Sequence, residues 1–157
     1  FSFYTAYYIR MDVTYDYHIF LAILSISISS DIGGFIFGKI LKGPKLTKIS
    51  PKKTYFGVLG SFLLPIIFYL ISFNIYEDKI LIFFNDDVLI KNSIAIYLII
   101  LLISSANQIG DIIVSYFKRL SNIKDTGKII PGHGGILDRI DGMLFAFPVA
   151  YILLKVL

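Results

Sequence analysis

The chain has 157 residues, 56% of them hydrophobic, with a mean hydropathy of +0.76, a formal charge of +4 and no cysteine. Apolar runs close to the roughly 20 residues needed to cross hydrocarbon exclude a soluble globular domain, and the missing cysteines exclude a disulfide framework and a thiolate metal site. The positive surplus sits in two loops beside apolar runs, with no separate polar domain to hold a duplex, so no nucleic acid partner is expected; membrane lipids and phosphates are.

In chain order, residues 1–16, FSFYTAYYIRMDVTYD, are aromatic and mixed in charge, and read as an outer loop or the end of a preceding span. No basic segment followed by a short apolar stretch and a small-residue cleavage site is visible. Because the chain starts at Phe1 without Met, it reads as the C-terminal part of a longer protein. Spans are expected at about 17–41, 54–76, 93–113 and 139–157. The fold class is therefore all-α, a polytopic transmembrane helix bundle of about four spans in one membrane domain covering 1–157.

Loop charge orients these spans, because cytoplasmic loops collect Lys and Arg while acids count for little. Residues 39–53 hold Lys39, Lys42, Lys45, Lys48, Lys52 and Lys53 with no acid, and 114–137 hold Lys118, Arg119, Lys124 and Lys128 against Asp125. Residues 77–92 carry Glu77, Asp78, Asp86 and Asp87 against Lys79 and Lys91. Both basic loops are expected in the cytoplasm and the acidic one outside.

Ser50-Pro51 is expected to open the second span, since serine caps free amides and proline is tolerated in a first helical turn. Lys52 and Lys53 would then stand at the positive end of that helix, a conflict that an anion gathered there relieves. Pro65 and Pro148 lie inside spans, where kinks are expected.

Along the third span Ser104, Asn107, Gln108, Asp111 and Ser115 recur at spacings of three and four, which makes a polar stripe on one helix face. Ser104, Asn107 and Gln108 suit helix–helix glue. Asp111 is a functional-site candidate, because a carboxylate near hydrocarbon needs a cation or a water-filled cavity. Asp138 and Asp141, three residues apart, would share the cytoplasmic first turn of the fourth span.

With Asp111, those two acids could hold Mg²⁺, a hard ion that takes oxygen ligands and shares phosphate oxygens. The alternative is that Asp138 caps the helix while Asp141 pairs with Arg139 or a lysine. Pro131-Gly132 followed by His133-Gly134-Gly135 allows a sharp bend that turns amides toward a ligand. Asp31 ends the first span either as a further ligand or as a packing residue.

Taken together, Ser115, Lys118-Arg119, Lys124-Asp125, Gly127, Pro131, His133-Gly134-Gly135, Asp138-Arg139 and Asp141 resemble the signature of the phosphatidate cytidylyltransferases, or CDP-diacylglycerol synthases. Two shorter stretches resemble the same family: Asp31-Ile32-Gly33-Gly34-Phe35 with Gly38, and Ser50-Pro51-Lys52-Lys53-Thr54 with Gly57 and Gly60. One departure is Phe56, where the family usually carries an acid.

The resemblance implies a nucleotidyl transfer from CTP to phosphatidate at the cytoplasmic face of a bacterial inner membrane. Its catalytic set would be Asp111, Lys124, Asp125, His133, Asp138, Arg139 and Asp141, with Mg²⁺ on Asp111, Asp138 and Asp141. Ser50, Lys52, Lys53, Thr54, Ser115, Lys118, Arg119, Gly134 and Gly135 would bind substrate. A homodimer is compatible with it. Two alternatives are a transporter with intramembrane acids and a CTP-using enzyme with another lipid acceptor.

Overall fold

A computed structural model describes residues 1–11, 17–46, 53–75, 93–123, 126–127, 135 and 137–156. Their secondary structure is helical: α1 (Ser2–Met11), α2 (Tyr17–Leu41), α3 (Tyr55–Ile75), α4 (Ser93–Leu120), α5 (Leu137–Ile140) and α6 (Met143–Val156). Among the described residues, three helices (α2, α3 and α4) are long and apolar enough to cross a bilayer. The protein is an integral membrane protein. Large apolar side chains such as Leu59, Leu63, Ile71, Leu98 and Leu102 are exposed on its flanks, where hydrocarbon replaces water as the solvent.

The first two spans match their expected bounds closely, and the others do not. Residues 2–11 form a helix, α1, and not the loop that was one of the two expectations for them; Thr5 and Ile9 are fully buried in its inner face. The helix of the third expected span, α4, runs to Leu120, seven residues past the expected 113. In place of one continuous span over 139–157 there is the short α5, a turn at Asp141-Gly142, and the 14-residue α6. The helices continue through Pro65 and Pro148.

The start of α3 also differs from expectation. Ser50, Pro51 and Lys52 lie outside the described residues, and the helix begins at Tyr55 with Thr54 as its cap, whose Oγ1 accepts from the Gly57 amide at 3.1 Å. Lys53 therefore precedes the helix, just before its cap, and its charge is met by Asp111. An antiparallel bridge between Lys45 and Thr54, with the Leu46 amide donating to the Lys53 carbonyl at 2.8 Å, ties this entry to the end of α2.

Glycine decides how α2 meets α3. A Cβ at Gly33 would collide with the Gly60 carbonyl, and a Cβ at Gly60 would collide with the Gly33 carbonyl and the Phe37 side chain. Backbones can approach this closely in a membrane only where side chains are absent. The rest of the core is aliphatic and aromatic: Ile23 and Ile26 of α2, Ile99, Ile100 and Ile103 of α4, and Ala146, Phe147 and Ala150 of α6. Phe20 stacks on Phe147 with centroids 5.3 Å apart, while Tyr8 of α1 meets Tyr151 edge-on at the far end of α6.

A Schellman motif closes α4. Ile123 donates its amide to the Lys118 carbonyl and Asn122 to that of Arg119, both at 3.0 Å, with Asn122 in the left-handed region at φ 54°. The last turn, which carries Lys118, is thereby fixed at the bundle end where α2 finishes and α3 begins.

Candidate active site

At that end the helices enclose a cavity of about 350 Å³. Asp31, Gly34 and Phe35 come from α2, Lys53, Thr54, Gly57 and Val58 from the entry and first turn of α3, Gln108 and Asp111 from α4, and Asp138 and Asp141 from the segment before α6. Four carboxylates and a lysine thus face one space. The glycines of α2 and α3 supply backbone where side chains would fill it.

Asp111, Asp138 and Asp141 each have a cationic partner. Lys53 Nζ lies 2.5 Å from Asp111 Oδ2 and also reaches the Gln108 carbonyl at 3.4 Å. Lys118 Nζ, from the capped end of α4, donates to Asp138 Oδ1 at 3.0 Å and to Asp141 Oδ2 at 3.3 Å. Ser115, one turn before Lys118, approaches Asp111 Oδ1 at 3.5 Å.

Asp138 is held from two sides. Its Oδ2 accepts the amides of Gly135 at 2.8 Å and Thr126 at 2.9 Å, so the carboxylate ties the loop to α5. Burial by itself would raise its pKa, but these amides and Lys118 outweigh that and hold it at about 2. Asp141 behaves oppositely: burial pushes its pKa up and the charge of Asp111 adds to the rise, with Lys118 opposing. Asp138 is therefore a fixed anion, while Asp141 is an acid under electrostatic load.

The structure brings Asp111, Lys53, Thr54, Asp138 and Asp141 around one cavity, with Ser115, Lys118 and Gly135 against them. Arg119 points elsewhere, exposed and donating to the Ile123 carbonyl at 3.4 Å. Ser50, Lys52, Lys124, Asp125, His133 and Gly134 lie outside the described residues, as does the side chain of Arg139. The expected pairing of Asp141 with Arg139 or a lysine is realised with Lys118.

Asp31 and Asn107 have roles that the residue pattern left open. The Asn107 side-chain amide donates to Asp31 Oδ1 at 2.7 Å, and Gln108 Nε2 stands 3.5 Å from Ser30 Oγ. Part of the polar stripe does join α4 to α2, but through Asn107 it also reaches an acid of the cavity. The signal was present in the one-turn step from Asn107 to Asp111; the partner on α2 was not.

The fit to a divalent ion can be judged from the donors. All four acids offer hard oxygen ligands suited to Mg²⁺. Among the described residues, however, no three or more His, Asp or Glu side chains are grouped to hold a metal ion. A closed three-acid cage is not formed. Mg²⁺ commonly takes one or two carboxylates and completes its shell with water and substrate phosphates, so the donor chemistry fits an ion that arrives with a phosphate ligand.

The described residues thus form a multi-span helical bundle with four acids and two lysines gathered at one end. The chain belongs to the cytidylyltransferase family, whose model matches residues 1–157. It is 42% identical over 125 residues to a phosphatidate cytidylyltransferase of Rickettsia bellii (strain RML369-C), covering 78% of this chain and 52% of that protein. Similarity to the phosphatidate cytidylyltransferase of Staphylococcus haemolyticus (strain JCSC1435) is 38% over 126 residues, covering 80% and 44%. The chain spans about half the length of these relatives.

Proposed function

We propose that the whole protein transfers the cytidylyl group of CTP to phosphatidate, yielding CDP-diacylglycerol and pyrophosphate. The observation that carries this reading is the pair of lysines, Lys53 and Lys118, each delivered to acids of one cavity from a different helix end. The names of the relatives supply the substrate class.

In the reaction, an oxygen of the phosphatidate phosphate attacks the α-phosphorus of CTP, and the bond from that phosphorus to the β-bridging oxygen breaks. Pyrophosphate leaves with the electron pair. The attacking phosphate is already ionised near neutral pH, so no nucleophilic side chain and no strong base is required. Two anions must be brought together, and positioning with charge neutralisation does most of the work.

Lys53 and Lys118 supply ammonium groups for the phosphates. Ser115 and the Thr54–Gly57 turn offer hydroxyl and backbone groups at the cavity wall, and Gly135 presents backbone beside Asp138. By family resemblance, Lys52, Lys124 and Arg139 would neutralise further phosphate charge and His133 with Gly134 would orient a phosphate, whereas Arg119 is turned away from the cavity. Asp125 belongs to the same set by family resemblance. Asp111 and Asp141, with Asp138 beside them, would hold Mg²⁺; when bound, the ion neutralises triphosphate oxygens and stabilises departing pyrophosphate.

Loop charge supports a cytoplasmic orientation of the cavity, in the inner membrane of a bacterium, with the diacyl tails left in the bilayer. The test is incubation of purified full-length protein with labelled CTP, Mg²⁺ and a panel of lipid acceptors. Label should enter lipid with phosphatidate and depend on Mg²⁺. Incorporation with a different acceptor would reassign the substrate, and none with any acceptor would overturn the reading.

A further inference from the structure

We propose that Asn107 is a positioning residue that holds Asp31 as a working acid of the cavity and couples it to the Asp141-Gly142 turn; this rests on the reading that the cavity binds a divalent ion with a phosphate. Asn107 is fully buried on α4, one turn before Asp111. Its orientation is forced, because a carboxylate only accepts, so the NH₂ must face Asp31; the contact measures 2.7 Å.

The other side of the same carboxamide abuts Gly142. A Cβ at Gly142 would stand 2.8 Å from Asn107 Cγ and 2.8 Å from its backbone oxygen, so the turn fits against Asn107 only as glycine. The Gly142 amide in turn donates to Asp141 Oδ1 at 3.0 Å. One buried side chain therefore touches the partner of each acid or the acid itself: Asp31 directly on α2, and Asp141 through the backbone of the turn. Asp31 lines the cavity together with Asp111 and Asp141. Groups that orient metal-binding carboxylates from behind have this arrangement.

The probe is Mn²⁺ added together with CTP to the full-length protein in detergent, with protein-bound Mn²⁺ followed by electron paramagnetic resonance and thermal melting in parallel. Asp31→Asn and Asn107→Leu should each weaken Mn²⁺ binding by about tenfold or more, and the double variant should be no weaker than Asp31→Asn alone. The exchange Asp31→Asn with Asn107→Asp restores an amide–carboxylate pair but moves the charge off α2. It should melt like the wild type and still bind Mn²⁺ weakly, which keeps the test decisive if Asn107→Leu does not fold.

Wild-type Mn²⁺ affinity in Asn107→Leu, losses that multiply in the double variant, or wild-type affinity in the exchange would overturn the proposal, as would a wild type that binds no Mn²⁺. A purely structural Asn107 would lower melting and leave Mn²⁺ affinity unchanged. If the Mn²⁺ pattern holds but no CDP-lipid forms, the cytidylyl-transfer reading fails and Asn107 keeps its role. If product forms while Mn²⁺ affinity is indifferent to Asn107, the transfer reading stands and the positioning role is lost.

Discussion

Lys118 is, among the described residues, the cation that bridges two acids, because a single ammonium group serves both Asp138 and Asp141. Lys118→Met keeps much of the aliphatic stem and removes the charge. CDP-lipid synthesis is expected to fall by about a hundredfold, the scale of losing one preorganised electrostatic contact, in a radiolabel assay with folded protein verified by gel filtration. Near-normal turnover would show that the pair is scaffolding only. Burial of Asn107 carries its own cost, since its Oδ1 has no partner among the described residues and an unmet buried acceptor costs about 1–3 kcal/mol.

Asp138 gives a pH prediction. Its folded pKa of about 2 lies below the ordinary 3.8, so its stabilising contribution is complete above the ordinary value and is lost as pH falls through the folded one. The Thr126 and Gly135 amides should stay protected from hydrogen exchange at pH 5 and lose protection between roughly pH 4 and 2. Asp138→Asn should remove much of that protection at neutral pH, and an unchanged exchange pattern would refute the tether.

Between helices, the α2–α3 contact makes a sharp internal comparison. At Gly33 a methyl meets the backbone oxygen of Gly60, which cannot swing away, whereas at Gly34 the nearest atom to a new Cβ is 3.6 Å off, an ordinary contact. Gly33→Ala should therefore destabilise the protein by about 1–3 kcal/mol, read as a lowered melting temperature in detergent, while Gly34→Ala should melt like the wild type. Equal melting of the two would contradict the close approach.

The same scale shows what the residues disclosed beforehand. Spans 17–41 and 54–76 were legible because both are long apolar runs, and their helices end within a residue or so of those bounds. The end of α4 was only partly legible: Ser115 already continued the polar stripe, but Lys118 and Arg119 look like a loop, whereas they extend the same helix until Asn122 stops it. The Asp141-Gly142 turn was hidden for a related reason, since an apolar run beginning with Asp-Arg-Ile-Asp reads as one capped helix unless the tight packing of Gly142 on Asn107 is known. The acids and Lys53 were legible as candidates. Their pairing partners were not, because pairing depends on which helix ends meet, and spacing along one chain does not state that.

For the whole molecule, the functional groups collect at one end of the bundle and α1 lies at the other, where Lys155 sits over Tyr8 and Tyr151. These 157 residues hold no cysteine, so once any cysteine elsewhere in the full-length protein is replaced by serine that polarity is directly measurable. In single-cysteine variants of the full-length protein, Lys42→Cys at the exposed end of α2 should be shielded in intact cells from a membrane-impermeant maleimide. Tyr7→Cys on exposed α1 should be labelled. The reverse pattern would place the cavity outside and remove access to cytosolic CTP.

The cavity has walls of unequal stiffness. On one side α2 and α3 touch backbone to backbone at Gly33 and Gly60, a seam with no rotamers to adjust; on the other, α4 and α6 meet through isoleucines and aromatic rings that can repack. The α2–α3 seam is thus the wall that tolerates least change, and it is the wall whose entry delivers Lys53 to the acids, so a substitution that parts those two backbones also moves a charge.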